Sequence, residues 1–282
     1  MAGFTQRVIG AAHRLVWLDD TDYCTALLAG GENPWLDAGV YAVWRRKAHS
    51  LLKSDVVALD VQPLCAAWLS KDAALRESMS AKTRMNFPLK TLLASTPLRC
   101  QITEFLTALR ANFPQRPLAF VCPSPRAWIA IAYRAAFGAA AELAIGEEEV
   151  DGASLHCADF LREFGSASID TVLLEESTDS APASAAELEW YRSVLNVAAH
   201  YRWDVGVRHA AGTIAGADSP GIDYHIGTPP RQGVCFGALI GTDFWQGEDP
   251  PAAAGADFRF ACVPLNLQPE RILDRLELLR QA

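Results

Sequence analysis

The sequence predicts an α/β fold, a single (β/α)8 barrel of the TIM type with an N-terminal helical extension, and three observations carry that prediction. Short apolar runs in the C-terminal half each close on charged or reactive side chains. Residues 168–174 end on Glu175 and Glu176, 203–207 on Arg208 and His209, 221–224 on His225, 234–240 on Asp243, and 258–261 on Cys262. Segments of helical period separate such runs along the chain, which favours a parallel sheet closed into a barrel. Finally, no Gly-rich fingerprint follows the first strand and GxxxxGK[ST] is absent, so an open nucleotide-binding sheet lacks its signature. In a barrel, catalytic groups gather at the carboxyl ends of the strands.

Taken in order, residues 1–54 read as a helical segment and 55–282 as the barrel of one domain. A helix is expected over 4–18 and a loop over 21–34. A second helix over 37–54 buries Val40, Tyr41, Trp44, Ala48, Leu51 and Leu52, opposite Arg45, Arg46 and Lys53. DVVALDV at 55–61 reads as a buried strand with Asp60 near its end. Helices follow at 64–80, interrupted at 70–72, and at 98–112, with an irregular stretch at 85–97 between them. PLAFVC at 117–122 is a strand, and the turn Pro123-Ser124-Pro125 leads into a helix over 127–137, since proline suits the first helical positions. Glu147–Glu149 reads as a solvated acidic turn, and 154–164 as a helix. Ser184 and Glu187 have the spacing of a capping box, opening a helix whose Leu188, Tyr191, Val194, Leu195 and Ala198 share one side. The last helix, 269–279, turns Ile272, Leu273, Leu276 and Leu279 inward.

Composition narrows the function classes. Half of the 282 residues are hydrophobic and 21% are charged, enough for a large core and too few charges for disorder. A net charge of −8 argues against nucleic acid as a partner, because neutralising phosphates takes concentrated Lys and Arg. Seven scattered cysteines without a CxxC pair read as a reduced, cytoplasmic chain. No apolar run approaches the length of a membrane helix, so no membrane partner is expected. All five lysines lie at or before Lys90, which excludes a Schiff-base lysine on a late strand.

The strand-end residues form the candidate site. His209, His225 and Cys262 are a thiol and two imidazoles that a barrel could bring together, a donor set suited to zinc with an open position. Glu175 and Glu176 are adjacent, so only one enters the barrel mouth, as general base, metal ligand or partner of Arg208. Arg126 at a helix start, Arg208, and Arg231 in a Pro-Pro-Arg loop are the candidate groups for binding a small anionic substrate.

At the level of pattern and order, residues 115–282 resemble the superfamily of cobalamin-independent methionine synthase and uroporphyrinogen decarboxylase. AFVCPSP resembles the family's strand and Gly-Pro turn, and DTVLLEES at 170–177 its acidic strand. VGVRHAAG at 205–212 looks like the strand bearing H-x-C-x-G, and ACVPLNLQPERILDRLELL resembles the D-C-G-L tail and closing helix. In the methyltransferase branch the resemblance implies zinc held by His209 and Cys262. Ala211 stands where the first cysteine would be, and His225 where a glutamate is expected. The decarboxylase branch implies an N-terminal arginine-rich motif, which Trp35, Tyr41, Arg45 and Arg46 resemble faintly. Three readings follow. The first is a methyltransferase-like enzyme acting on a small anionic substrate with zinc, in which Glu175, Glu176 and His209 are catalytic. The second is a metal-free decarboxylase or lyase, and the third a non-catalytic accessory subunit.

Overall fold

The computed structural model describes residues 3–30, 34–177, 183–213, 221–228, 234–250 and 255–281. Its centre is eight parallel strands curled into a barrel: β1 (Leu15–Asp19), β2 (Val57–Asp60), β3 (Leu118–Pro123), β4 (Thr171–Glu175), β5 (Asp204–Thr213), β6 (Tyr224–Thr228), β7 (Cys235–Ile240) and β8 (Phe258–Cys262). Each strand from β2 to β8 is laddered to the next, and β8 pairs with β1. No ladder joins β1 to β2. That seam is bridged by the Asp55 N–H donating to the Val16 carbonyl at 3.0 Å and the Val16 N–H donating to Asp55 Oδ2 at 2.9 Å. The Leu18 N–H donates to Ser54 Oγ at 3.1 Å, higher on the same seam.

The helices are α1 (Phe4–Ile9), α2 (Thr21–Leu28), α3 (Ala38–Leu52), α4 (Val61–Lys71), α5 (Ala73–Met79), α6 (Phe87–Leu93), α7 (Thr96–Asn112), α8 (Pro125–Phe137) and α9 (Glu147–Arg162). The remainder are α10 (Ala185–Glu189), α11 (Arg192–Tyr201), α12 (Thr242–Gln246) and α13 (Pro269–Gln281). Asp37, Asp60, Asp72, Ser124 and Ser184 cap their helices through side-chain oxygens, which satisfies N–H groups left over at each start.

Successive strand residues alternate between two cores. Trp17, Val121, Leu173, Tyr224, Ile226, Phe258 and Phe260 point into the barrel, while Val16, Leu18, Phe120, Val172, Val205 and Val207 point out against the helices. Phe4 of α1 plugs the amino-terminal end, its ring 5.6 Å from Trp17, 4.9 Å from Tyr224 and 5.7 Å from Phe258. Gly206 and Gly237 are required by this filling: a Cβ on Gly206 would lie 2.1 Å from the Tyr224 ring, and one on Gly237 2.5 Å from Phe258.

The structure revises several expectations. Residues 1–54 are not a helical segment outside the barrel, because β1 lies within them; the helix expected over 4–18 ends at Ile9 and yields to the strand LVWLD. The expected loop at 21–34 contains α2, and the irregular stretch at 85–97 contains α6. Glu147–Glu149 form the first turn of α9, where carboxylates suit the positive end of the helix dipole. Strict alternation also lapses: among the described residues no helix lies between β5 and β6 or between β6 and β7. Leu273 of α13 is exposed rather than inward-facing. No helix among the described residues is long and apolar enough to cross a membrane.

Candidate active site at the barrel mouth

The side chains that meet at the carboxyl ends of the strands are set by strand parity. Trp17 points inward, so Asp19 two residues on does too; Leu173 brings Glu175 inward, Phe260 brings Cys262, and Gly206 brings Arg208. Register then places Glu175 opposite Arg208 and Asp19 opposite Cys262. Arg208 is the hub: Nη1 lies 2.8 Å from Glu175 Oε1 and 3.0 Å from Asp19 Oδ2, and its guanidinium sits 5.1 Å over the Phe260 ring. The Cys262 thiol donates to Asp19 Oδ2 at 3.5 Å. Asp60, from the end of β2, faces the same group while its Oδ1 accepts the Gln62 N–H at 3.0 Å.

Burial governs the titration of this cluster. Asp60 is pushed well above the usual carboxylate range, first by desolvation and then by the neighbouring Glu175 charge. Glu175 is raised by the same desolvation, with Arg208 opposing it. Cys262 is pushed up to about 12 by burial and by Asp19, so its thiol stays protonated at neutral pH. Arg208 is held firmly charged, Glu175 and Asp19 outweighing the cost of its burial. A cavity lined by Asp19, Asp20, Asp60, Glu175 and Arg45 opens here; it encloses about 20 Å³, room for about one water.

The other candidate residues lie elsewhere. Glu176 follows Glu175 and so turns outward, where Oε2 accepts from Arg126 Nη2 at 2.7 Å and Nε at 3.2 Å, and Oε1 accepts the Tyr191 hydroxyl. Arg126 also reaches Glu187 at 3.3 Å, which makes it a structural tie among β4, α8 and α10 rather than an anion site. Arg208 is likewise taken up by two carboxylates. Arg231 lies outside the described residues.

His225 stands between inward-facing Tyr224 and Ile226, so it points outward. His209 joins it there, with Nε2 at 3.3 Å from His225 Nδ1, the rings stacked at 5.5 Å, and 1% and 3% of the two residues exposed. Cys262 faces the barrel interior. The three therefore do not share one site, and among the described residues no group of three or more His, Cys, Asp and Glu is placed to hold a metal ion. These residues do not fit the zinc centre that the sequence pattern implies. Arg45 and Asp20 correct a further reading: Arg45 is 2% exposed, buried against Asp20 rather than on the solvent face of α3.

Sequence reasoning missed Asp19, because its strand was hidden in an expected helix, and passed over Asp60. The available signal was the same in both: an apolar run closing on an acid.

Comparison with known proteins bears on the fold. No family model matches the sequence, and no curated protein matches it significantly. Among solved structures the chain is similar to a methyltransferase from Methanosarcina mazei, with a TM-score of 0.59 at 11% identity, over 98% of this chain and 96% of that one. The likeness is one of fold, end to end, and matches the eight-stranded parallel barrel described above.

Proposed function

We propose that this chain is a barrel enzyme that transfers a methyl or similar small group on a small anionic substrate, with proton handling by Asp60 and Glu175. The observation that carries the reading is the inward cluster at the strand ends, two carboxyl groups that burial makes better proton acceptors, set around Arg208. Such clusters at this rim are where barrel enzymes work. The end-to-end likeness to a methyltransferase supports the group-transfer part. Glu175 would accept the proton that an attacking N–H, O–H or S–H gives up as it takes the methyl group, and Arg208 would steady the resulting charge balance.

Asp60 favours a second reading, a metal-free lyase or decarboxylase. A carboxyl that desolvation pushes well above the usual carboxylate range is suited to delivering its proton to a carbon that has just lost CO2. One experiment separates the two. Purified protein is incubated with sulfonium, thioether and quaternary-amine donors carrying an isotopic methyl label, and with small carboxylic acids. Labelled methyl in a new product, falling by about a hundredfold or more in Glu175→Gln, is the expected result. Release of CO2 without label transfer selects the lyase, and neither product would end the enzyme reading.

A further inference from the structure

A second cavity lies on the same rim, beyond β7 and β8. It measures about 400 Å³, within the range of small-molecule sites, and is lined by Thr242, Trp245, Gln246, Pro264, Asn266, Leu267 and Arg271. Its floor and walls come from α12, the loop after β8 and the first turn of α13. Pro264 is two residues past Cys262 in the loop that follows β8, so the cavity and the charged cluster are built on the same end of that strand.

The chemistry of its lining is the reverse of the mouth. Among the described residues the lining holds no carboxylate, and every polar side chain in it can donate a hydrogen bond. Arg271 has no carboxylate partner among the described residues; its Nη2 donates to the Gln246 carbonyl at 2.7 Å, a neutral acceptor. This sets it apart from Arg45, Arg126 and Arg208, each already joined to acids. The indole N–H of Trp245 is buried and has no acceptor among the described residues. The start of α13, a 13-residue helix, adds backbone N–H groups and a positive dipole end beside Arg271. Pro264, Leu267 and the Trp245 ring supply an apolar surface.

We infer that this cavity is the subsite for the substrate's carboxylate, with Arg271 supplying the charge, Asn266 a neutral donor, and the apolar wall, the Trp245 ring included, accepting a hydrocarbon body. The inference rests on the reading of the rim as an active site and names the residues that make it select an organic acid. A guanidinium fork matches the two oxygens of a carboxylate, which is why one arginine suffices.

Phenylacetate and its neutral isostere phenylacetamide are the probes, titrated into the full chain and followed by tryptophan fluorescence and calorimetry. Phenylacetate is expected to bind saturably and more tightly than the amide. Arg271→Met should weaken phenylacetate by about tenfold or more while leaving the amide unchanged. Arg271 is exposed, so the substitution leaves the fold intact. Glu175→Gln should bind phenylacetate as the native chain does, so this result is read independently of turnover. Absence of saturable binding, or equal affinity of native and Arg271→Met protein for phenylacetate, overturns the inference.

Discussion

Asp60 has two duties that its proton keeps compatible. Its Oδ1 accepts the Gln62 N–H at the start of α4, and its carboxyl group faces Glu175, Asp19 and Arg208 inside the barrel. Because desolvation raises its pKa, the folded state prefers the protonated acid. The stability drawn from that preference is complete below the ordinary carboxylate value of about 4 and is lost as pH rises through the elevated native value. Asn keeps the cap, being about as good there as Asp, and removes the titration. Asp60→Asn should therefore melt higher than the native protein at about pH 8, with the difference closing by about pH 4. About 2 °C is gained per kcal/mol in a chain of this size. Thermal melts at both pH values check this; a difference independent of pH would show that Asp60 is ionised throughout.

At the scale of elements, the decisive geometry is the parity of β4, which sends Glu175 to the chemistry and Glu176 to the architecture. Glu176 is buried with Arg126 of α8 and the Tyr191 hydroxyl, while the capping box of α10 presents Glu187 to the same arginine. Breaking one side of a buried pair strands the other charge. Arg126→Met should cost about 3 kcal/mol, a fall in melting temperature of roughly 6 °C or more, and adding Glu176→Gln should recover part of it. Denaturation of single and double variants measures the coupling, and strictly additive losses would show none. Sequence reading saw that only one of the two glutamates could enter the barrel, and it saw the capping box, since both are local patterns. It could not see which glutamate, because that follows from where each strand begins. The same limit misplaced His209 and His225: His209 lies inside β5 and His225 is the second residue of β6, rather than at strand ends, and their outward direction depends on Tyr224 and Ile226 filling the interior.

For the whole molecule, the barrel was legible from apolar runs closing on reactive groups, and the resemblance pointed to the same architecture. Its first strand was not legible. LVWLD is as apolar as a helix face, and it becomes a strand only because β8 ladders against it. That arrangement leaves a seam on its other side, where the side chains of Asp55 and Ser54 replace a backbone ladder. Opening the seam breaks only a few bonds, so the Val16 and Leu18 amides should exchange with deuterium faster than those of β4 and β5. Hydrogen-exchange mass spectrometry reads this directly, and equal protection would mean the ring is uniformly locked. The seam also has a geometric consequence. Asp19 and Asp60 stand at its upper end, one on each lip, so the ring is like a clasp whose fastening lies beside the reacting groups. Slackening that clasp would enlarge the tight space between the two acids without unzipping any pair of strands, so the cylinder can widen beside its reacting groups at little cost.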